Sequence, residues 1–201
     1  MQISNSSKKI SFKKTLAANC SIIKKENIPF PCSIYELTQE EDYDYFNKIP
    51  NKNDWNGARY LCYLKEDLES LNEKKNRKIY SIESKDGNCL GYSEIDYGTN
   101  KIDEILFLET VPTQNFSNRE HSTFKYIGET LLSFLVKKSQ KKKSKKIELQ
   151  ASIASINFYK NKCFFTTPQK ELDPFFLRKR NFADLISQNE KHTQSTIELV
   201  G

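Results

Sequence analysis

Gly128 stands in a helix-patterned run, Phe124-Lys-Tyr-Ile-Gly-Glu-Thr-Leu-Leu132. Amide groups in the first turn of a helix lack intrahelical partners, and the peptide dipoles favour negative charge there. A glycine at that place lets an anion come against the backbone. Lys125 would add a cation and Thr130 a hydroxyl donor. Glu129 has the wrong sign for an anion ligand and is expected to face solvent. The ring of Tyr126 must turn aside, or the anion must shift. Two carboxylates, Glu104 and Glu109, sit on the most apolar strand-like run, Ile102–Val111. Either could take up a proton. Five residues apart on a regular strand, they are expected to face opposite sides, so at most one would look into a given cleft. Tyr159 belongs to a Phe-Tyr pair on a short helix, and a tyrosine hydroxyl, with an ordinary pKa of about 10, is a proton donor at neutral pH. Each residue also has a plain structural reading: a helix start, solvated strand carboxylates, a packed aromatic.

The elements that must position these residues follow from periodicity. Cys32–Leu37 reads as a short strand. Thr38 with Glu41 has capping-box spacing and opens a helix to about Lys48. Tyr60, Leu61, Leu64, Leu68 and Leu71 recur at helical spacing over Ala58–Glu73. Alternation over Ile79–Ser84, a turn at Asp86-Gly87 and a second run over Cys89–Tyr97 predict a hairpin. After the strand ending at Pro112 and a polar loop, Phe124, Ile127, Leu131, Leu132, Leu135 and Val136 predict a helix, ending in a lysine-rich stretch that suits its C-terminus. Ile147–Ala151 reads as a strand, Ser155–Lys162 as a short helix, Phe164–Thr167 and Phe175–Leu177 as strands, and Phe182–Gln188 as a terminal helix. The order β-αα-βββ-α-β-α-β-β predicts an α/β (α+β) fold: a mixed, mostly antiparallel sheet of six or seven strands with about four flanking helices.

Composition bounds the rest. At 201 residues the chain is one domain of ordinary size, and Leu, Ile, Val and Phe make up 51 positions, enough for a core. The apolar runs are too short to span a bilayer, and no export signal opens the chain. Of 32 cations 27 are Lys and five Arg. Since readers of bases and phosphates rely on arginine forks, a nucleic-acid partner is not expected, and an AT-rich coding sequence accounts for the lysines. Five cysteines without a C-x-x-C pair and two histidines argue against a metal site and for a reducing, cytoplasmic compartment. Residues 1–30 carry six Lys and one Glu and read as a flexible basic tail; residues 31–180 read as the folded domain and 181–201 as a C-terminal helix and tail. Residues 36–73 carry ten acids against four cations. Such a wall would attract a cation, although a solvated face explains it equally well.

Four segments in order resemble the GNAT acyltransferase superfamily: Glu104-Ile-Leu-Phe-Leu-Glu-Thr-Val-Pro112, Phe124-Lys-Tyr-Ile-Gly-Glu-Thr-Leu-Leu132, Ile147-Glu-Leu-Gln-Ala-Ser152, and Ser155-Ile-Asn-Phe-Tyr-Lys-Asn-Lys-Cys-Phe164. They are similar to the family's fourth strand, pyrophosphate loop and helix, fifth strand, and FYxxxGF helix and turn. The resemblance implies transfer of an acetyl group from acetyl-CoA to a primary amine by direct attack, without a metal. It implies Glu104 as the base, with Glu109 as its rival, and Tyr159 as the acid that protonates the departing thiolate. It also implies a cofactor-binding set of Leu108, Glu109, Thr110, Val111, Lys125, Tyr126, Ile127, Gly128, Thr130 and Ser152. The family's loop, Gln/Arg-x-x-Gly-x-Gly/Ala, meets Thr123, Tyr126 and Gly128 here; Cys163 replaces the glycine of FYxxxGF, and Ser152 an asparagine. These departures leave a second reading, an inactive GNAT-like binding module. The acceptor and the oligomeric state are not implied.

Overall fold

The computed structural model describes residues 14–24, 27–37, 76–110, 124–151, 155–162 and 175–200. The helices expected over 38–48 and 58–73, the strand at 164–167, and Thr123, Val111, Ser152 and Cys163 lie outside the described residues. One mixed sheet organises the rest. Its strands are β1 (Thr15–Lys24), β2 (Pro29–Leu37), β3 (Arg77–Ser84), β4 (Cys89–Tyr97), β5 (Ile102–Thr110), β6 (Phe124–Lys125), β7 (Lys146–Leu149), β8 (Phe175–Arg178) and β9 (Glu198–Leu199). The spatial order is β6-β1-β2-β3-β4-β5-β7-β8, with β9 beside β1. All pairings are antiparallel except β5 with β7. The helices are α1 (Ile127–Lys141), α2 (Ile156–Lys162) and α3 (Phe182–Thr193). Among the described residues no helix is long and apolar enough to cross a membrane.

Residues 1–30 do not form a tail throughout: β1 runs along β2. Its alternation places Ala18, Cys20 and Ile22 in the core with Ile34 and Ile82, while Ile23 is buried on the other face. Lysines on both sides of this strand mask a period-two pattern built from small and β-branched residues.

The helix α1 lies over the face that carries Ile34, Ile82 and Tyr80. Leu131, Leu135 and Phe134 recur at helical spacing and are fully buried, with the Phe134 and Tyr80 rings edge to face at 4.8 Å. Gly91 allows this close approach: a Cβ there would come within 2.7 Å of the Glu109 carbonyl oxygen and 3.2 Å of a Leu131 methyl. α3 packs against α1 and β1 through Phe182, Leu185 and Ile186. The helix is longer than its expected end at Gln188 because Asn189 and Thr193 are buried on the same face.

Candidate active site: the crevice beside strand β5

Strand β5 has nine residues and β7 has four. Parallel pairing therefore joins Ile102–Ile105 to Lys146–Leu149 and stops. On the β4 side the ladder continues to Thr110 but slips at Leu106, which is left unmatched between Ile105 and Phe107. Such a bulge bends a strand and sharpens its twist. Among the described residues, 106–110 have no strand partner on the β7 side, and β5 and β7 part in a wedge beyond Ile105 and Leu149.

Helix α1 starts at the mouth of this wedge. A Cβ built on Gly128 would lie 3.4 Å from the Thr110 methyl, 3.6 Å from a Leu108 methyl and 3.8 Å from the Phe158 ring of α2. Leu108, Thr110, Gly128 and Phe158 thus meet at one place, although they come from three segments. The contacts are of ordinary van der Waals length, so protein packing alone would accept an alanine at Gly128. Ile127 is buried in the core beneath the turn, against the Gly91 backbone. Lys125 is half-buried on β6, paired with Ile23.

Tyr126 caps α1 with φ 67° and ψ 14°, the left-handed region. A residue with a Cβ rarely sits there, whereas glycine does so freely. The position at which the family's loop carries its first glycine therefore has a glycine-like backbone in this chain, with a tyrosine in place of glycine. The ring has turned aside: it stacks on His192 of α3, centroids 4.8 Å apart and planes within 15°.

Two expectations for this turn are overturned. Glu129 does not face solvent; it is 2% exposed, with Oε1 2.6 Å from His192 Nδ1. The Thr130 hydroxyl points away from the crevice, into the contact with α3, where it accepts a hydrogen bond from Asn189 Nδ2 at 3.1 Å. Both side chains follow the face of α1 that α3 covers, and the partners come from a helix about sixty residues later.

The carboxylates are also arranged differently. Register pairs Asp96 with Glu104 and Tyr92 with Glu109. Residues directly opposite on neighbouring strands share a face, and Asp96 and Tyr92 share theirs, so Glu104 and Glu109 face the same side. The extra residue at Leu106 reverses the parity that a regular strand would impose. Glu104 is exposed and lies in a row of acids across three strands, between Asp96 and Glu148. Lys146 pairs with Glu148, and Arg77 reaches Glu94 at 3.2 Å and Asp96 at 3.6 Å. Glu109 is half-buried at the splayed end, where its Oε2 accepts from the Tyr92 hydroxyl at 3.0 Å. On the same face, buried Glu83 accepts from Ser81 and pairs with Lys14. Of the acidic stretch 36–73, Glu36 is described; it pairs with Lys78 at 2.7 Å.

Tyr159 is 6% exposed, with ring contacts to Phe158 at 5.1 Å and Phe175 at 6.2 Å. Phe158 is the site residue that the Phe-Tyr motif contained but that no role was assigned to. Burial raises the Cys32 thiol to about 12, and burial with the neighbouring Cys32 raises Cys20 further. These thiols stay protonated and inert as nucleophiles.

The sequence matches no protein-family model and no curated protein. Solved structures do match. A GNAT-family acetyltransferase from Staphylococcus aureus Mu50 superposes with a TM-score of 0.52 at 14% identity, covering 74% of this chain and 99% of that chain. A mutant form of the spermidine N-acetyltransferase SpeG from Vibrio cholerae gives 0.52 at 12% identity, covering 75% and 95%. A protein from Exiguobacterium sp. 255-15 assigned as an acetyltransferase gives 0.53 at 15% identity, covering 76% and 97%. Likeness at these identities is likeness of fold, and the fold of this chain is the GNAT acetyltransferase fold.

Proposed function

We propose that the protein is an N-acyltransferase that uses acetyl-CoA and a primary amine, by direct attack of the amine. The observation that carries this reading is the meeting of Leu108, Thr110, Gly128 and Phe158 where β5 parts from β7 and α1 begins. Acetyl-CoA would supply the activated acyl group as a thioester. The residues present fit it. The first-turn amides at Gly128 offer donors to its pyrophosphate, Lys125 stands one residue before the cap, and the end of β5 beyond Ile105, with Leu108 and Thr110 against Gly128, lines the path of its amide-bearing arm. Val111 and Ser152 belong to the same proposed set by resemblance. Thr130 and Glu129 do not, since both are engaged with α3.

Glu104 is proposed as the base. It adjoins the apex of the wedge, next to Ile105, and its exposure lets it take a proton from an ammonium through water. Glu109 already accepts from Tyr92 and is assigned to holding the splayed end. Tyr159 is proposed to give its proton to the leaving thiolate. With Arg77 on Asp96 and Lys146 on Glu148, three carboxylates face two cations in the row Asp96, Glu104 and Glu148, a small negative excess that favours a cationic acceptor, and the SpeG neighbour is itself a spermidine N-acetyltransferase.

The test is acetyl transfer followed by mass spectrometry, with acetyl-CoA and a panel of spermidine, simple diamines, lysine peptides and neutral primary amines. The expected product is a mono-acetylated amine, formed faster from polyamines than from neutral amines, with Glu104→Gln slowed by about 10²–10⁴-fold. No acetylated amine across the panel would contradict the activity. Full turnover in Glu104→Gln would remove the base assignment alone.

A further inference from the structure

We propose that His192, on the C-terminal helix α3, is a positioning residue for the phosphate-facing turn of α1, holding Tyr126 in the left-handed conformation that shapes the turn; this rests on the coenzyme A reading above. Tyr126 is strained where it stands. Its backbone is left-handed, and no side chain caps the helix there. A strained residue persists when its surroundings fix it, and the ring contact with His192 supplies that fixing, at 4.8 Å and nearly parallel.

His192 is itself held. Its Nδ1 lies 2.6 Å from Glu129 Oε1, within hydrogen-bond distance. Glu129 is buried, one residue beyond Gly128. One turn earlier on α3, Asn189 donates to Thr130. Helix α3 therefore grips residues 126, 129 and 130 of the turn with two side chains, and leaves Gly128 clear on the crevice side against Thr110, Leu108 and Phe158. Of the Glu129 carboxylate, Oε1 meets His192, while Oε2 is buried with no hydrogen-bond partner among the described residues. Without the imidazole ring, Tyr126 relaxes toward an ordinary conformation, the peptide planes of residues 125–127 rotate, and the phenol is freed toward the crevice.

The experiment is calorimetric titration of the full chain with coenzyme A, with thermal melting of each variant. Wild type binds, and His192→Ala binds about tenfold more weakly. His192→Gln, which keeps a donor for Glu129 and loses the ring, weakens binding to a similar extent and serves if His192→Ala does not fold. Glu190→Ala removes the Lys137–Glu190 contact elsewhere on the α1–α3 seam and leaves coenzyme A affinity unchanged. The decisive background is Tyr126→Gly. Glycine takes the left-handed conformation unaided, so in that background His192→Ala has no further effect on affinity. A general packing role for His192 would give the same loss in both backgrounds, and that result, or wild-type affinity in both His192 variants, overturns the inference. Absence of wild-type binding up to millimolar coenzyme A overturns the proposed function, and this inference with it.

Discussion

Tyr159 is the residue at which packing and chemistry are hardest to separate, because it does both in this account. Its ring is buried between Phe158 and Phe175, and its hydroxyl is the proposed acid. Tyr159→Phe keeps the ring and removes the proton donor. The chemical step is expected to slow about 10²–10³-fold, with melting temperature and coenzyme A affinity nearly unchanged. If the hydroxyl serves packing alone, turnover is retained and stability falls by about 1 kcal/mol. Turnover and melting of the one variant decide between them. At this scale Gly128 was legible at a helix start, which is a local pattern, whereas Leu108 and Thr110 entered only through the family resemblance. Glu129 and Thr130 were not. Their environment is set by His192 and Asn189, and nothing near residue 129 in the sequence marks those partners.

Elements were legible where their period was strong. The β3–β4 hairpin, β5, α1 and α2 stand within a few residues of where periodicity places them. The bulge at Leu106 was not legible, and it decides that Glu104 and Glu109 share a face, since one inserted residue inverts the parity of everything after it. Strand β1 was hidden for a different reason: lysine and asparagine around it look like a solvated tail, while its buried positions are filled by small residues and isoleucines that make short apolar runs. Deleting residues 1–24 tests the two readings. A dispensable tail leaves the melting transition in place. Loss of β1 removes two buried isoleucines, Ile22 from the core and Ile23 from the opposite face, at about 1.5–3 kcal/mol each, and exposes the edge of β2. Against a typical stability of about 5–15 kcal/mol, the truncated chain is expected to lose its cooperative melt. An unchanged melting temperature would contradict the placement of β1 in the sheet.

At the scale of the molecule, function depends on a crevice that no single segment contains. The mouth joins residues 108–110, 126–128 and 158, and α3 closes over the back of the turn. From β2 onward, the order of most of the described elements was legible and led to the GNAT fold. The convergence of the crevice was legible only through that resemblance, because spacing in sequence does not give distances across a sheet. The central claim, that coenzyme A lies against the backbone at Gly128, is tested most directly by titrating coenzyme A into wild type, Gly128→Ala and Gly128→Glu. The added methyl has ordinary contacts with Thr110, Leu108 and Phe158, so Gly128→Ala is expected to fold normally and bind within a few-fold of wild type. Gly128→Glu places bulk and a negative charge where the pyrophosphate would sit, and its affinity is expected to fall at least 10²-fold, or about 2.7 kcal/mol, with its melting temperature largely retained. Equal affinity in wild type and Gly128→Glu would contradict the account.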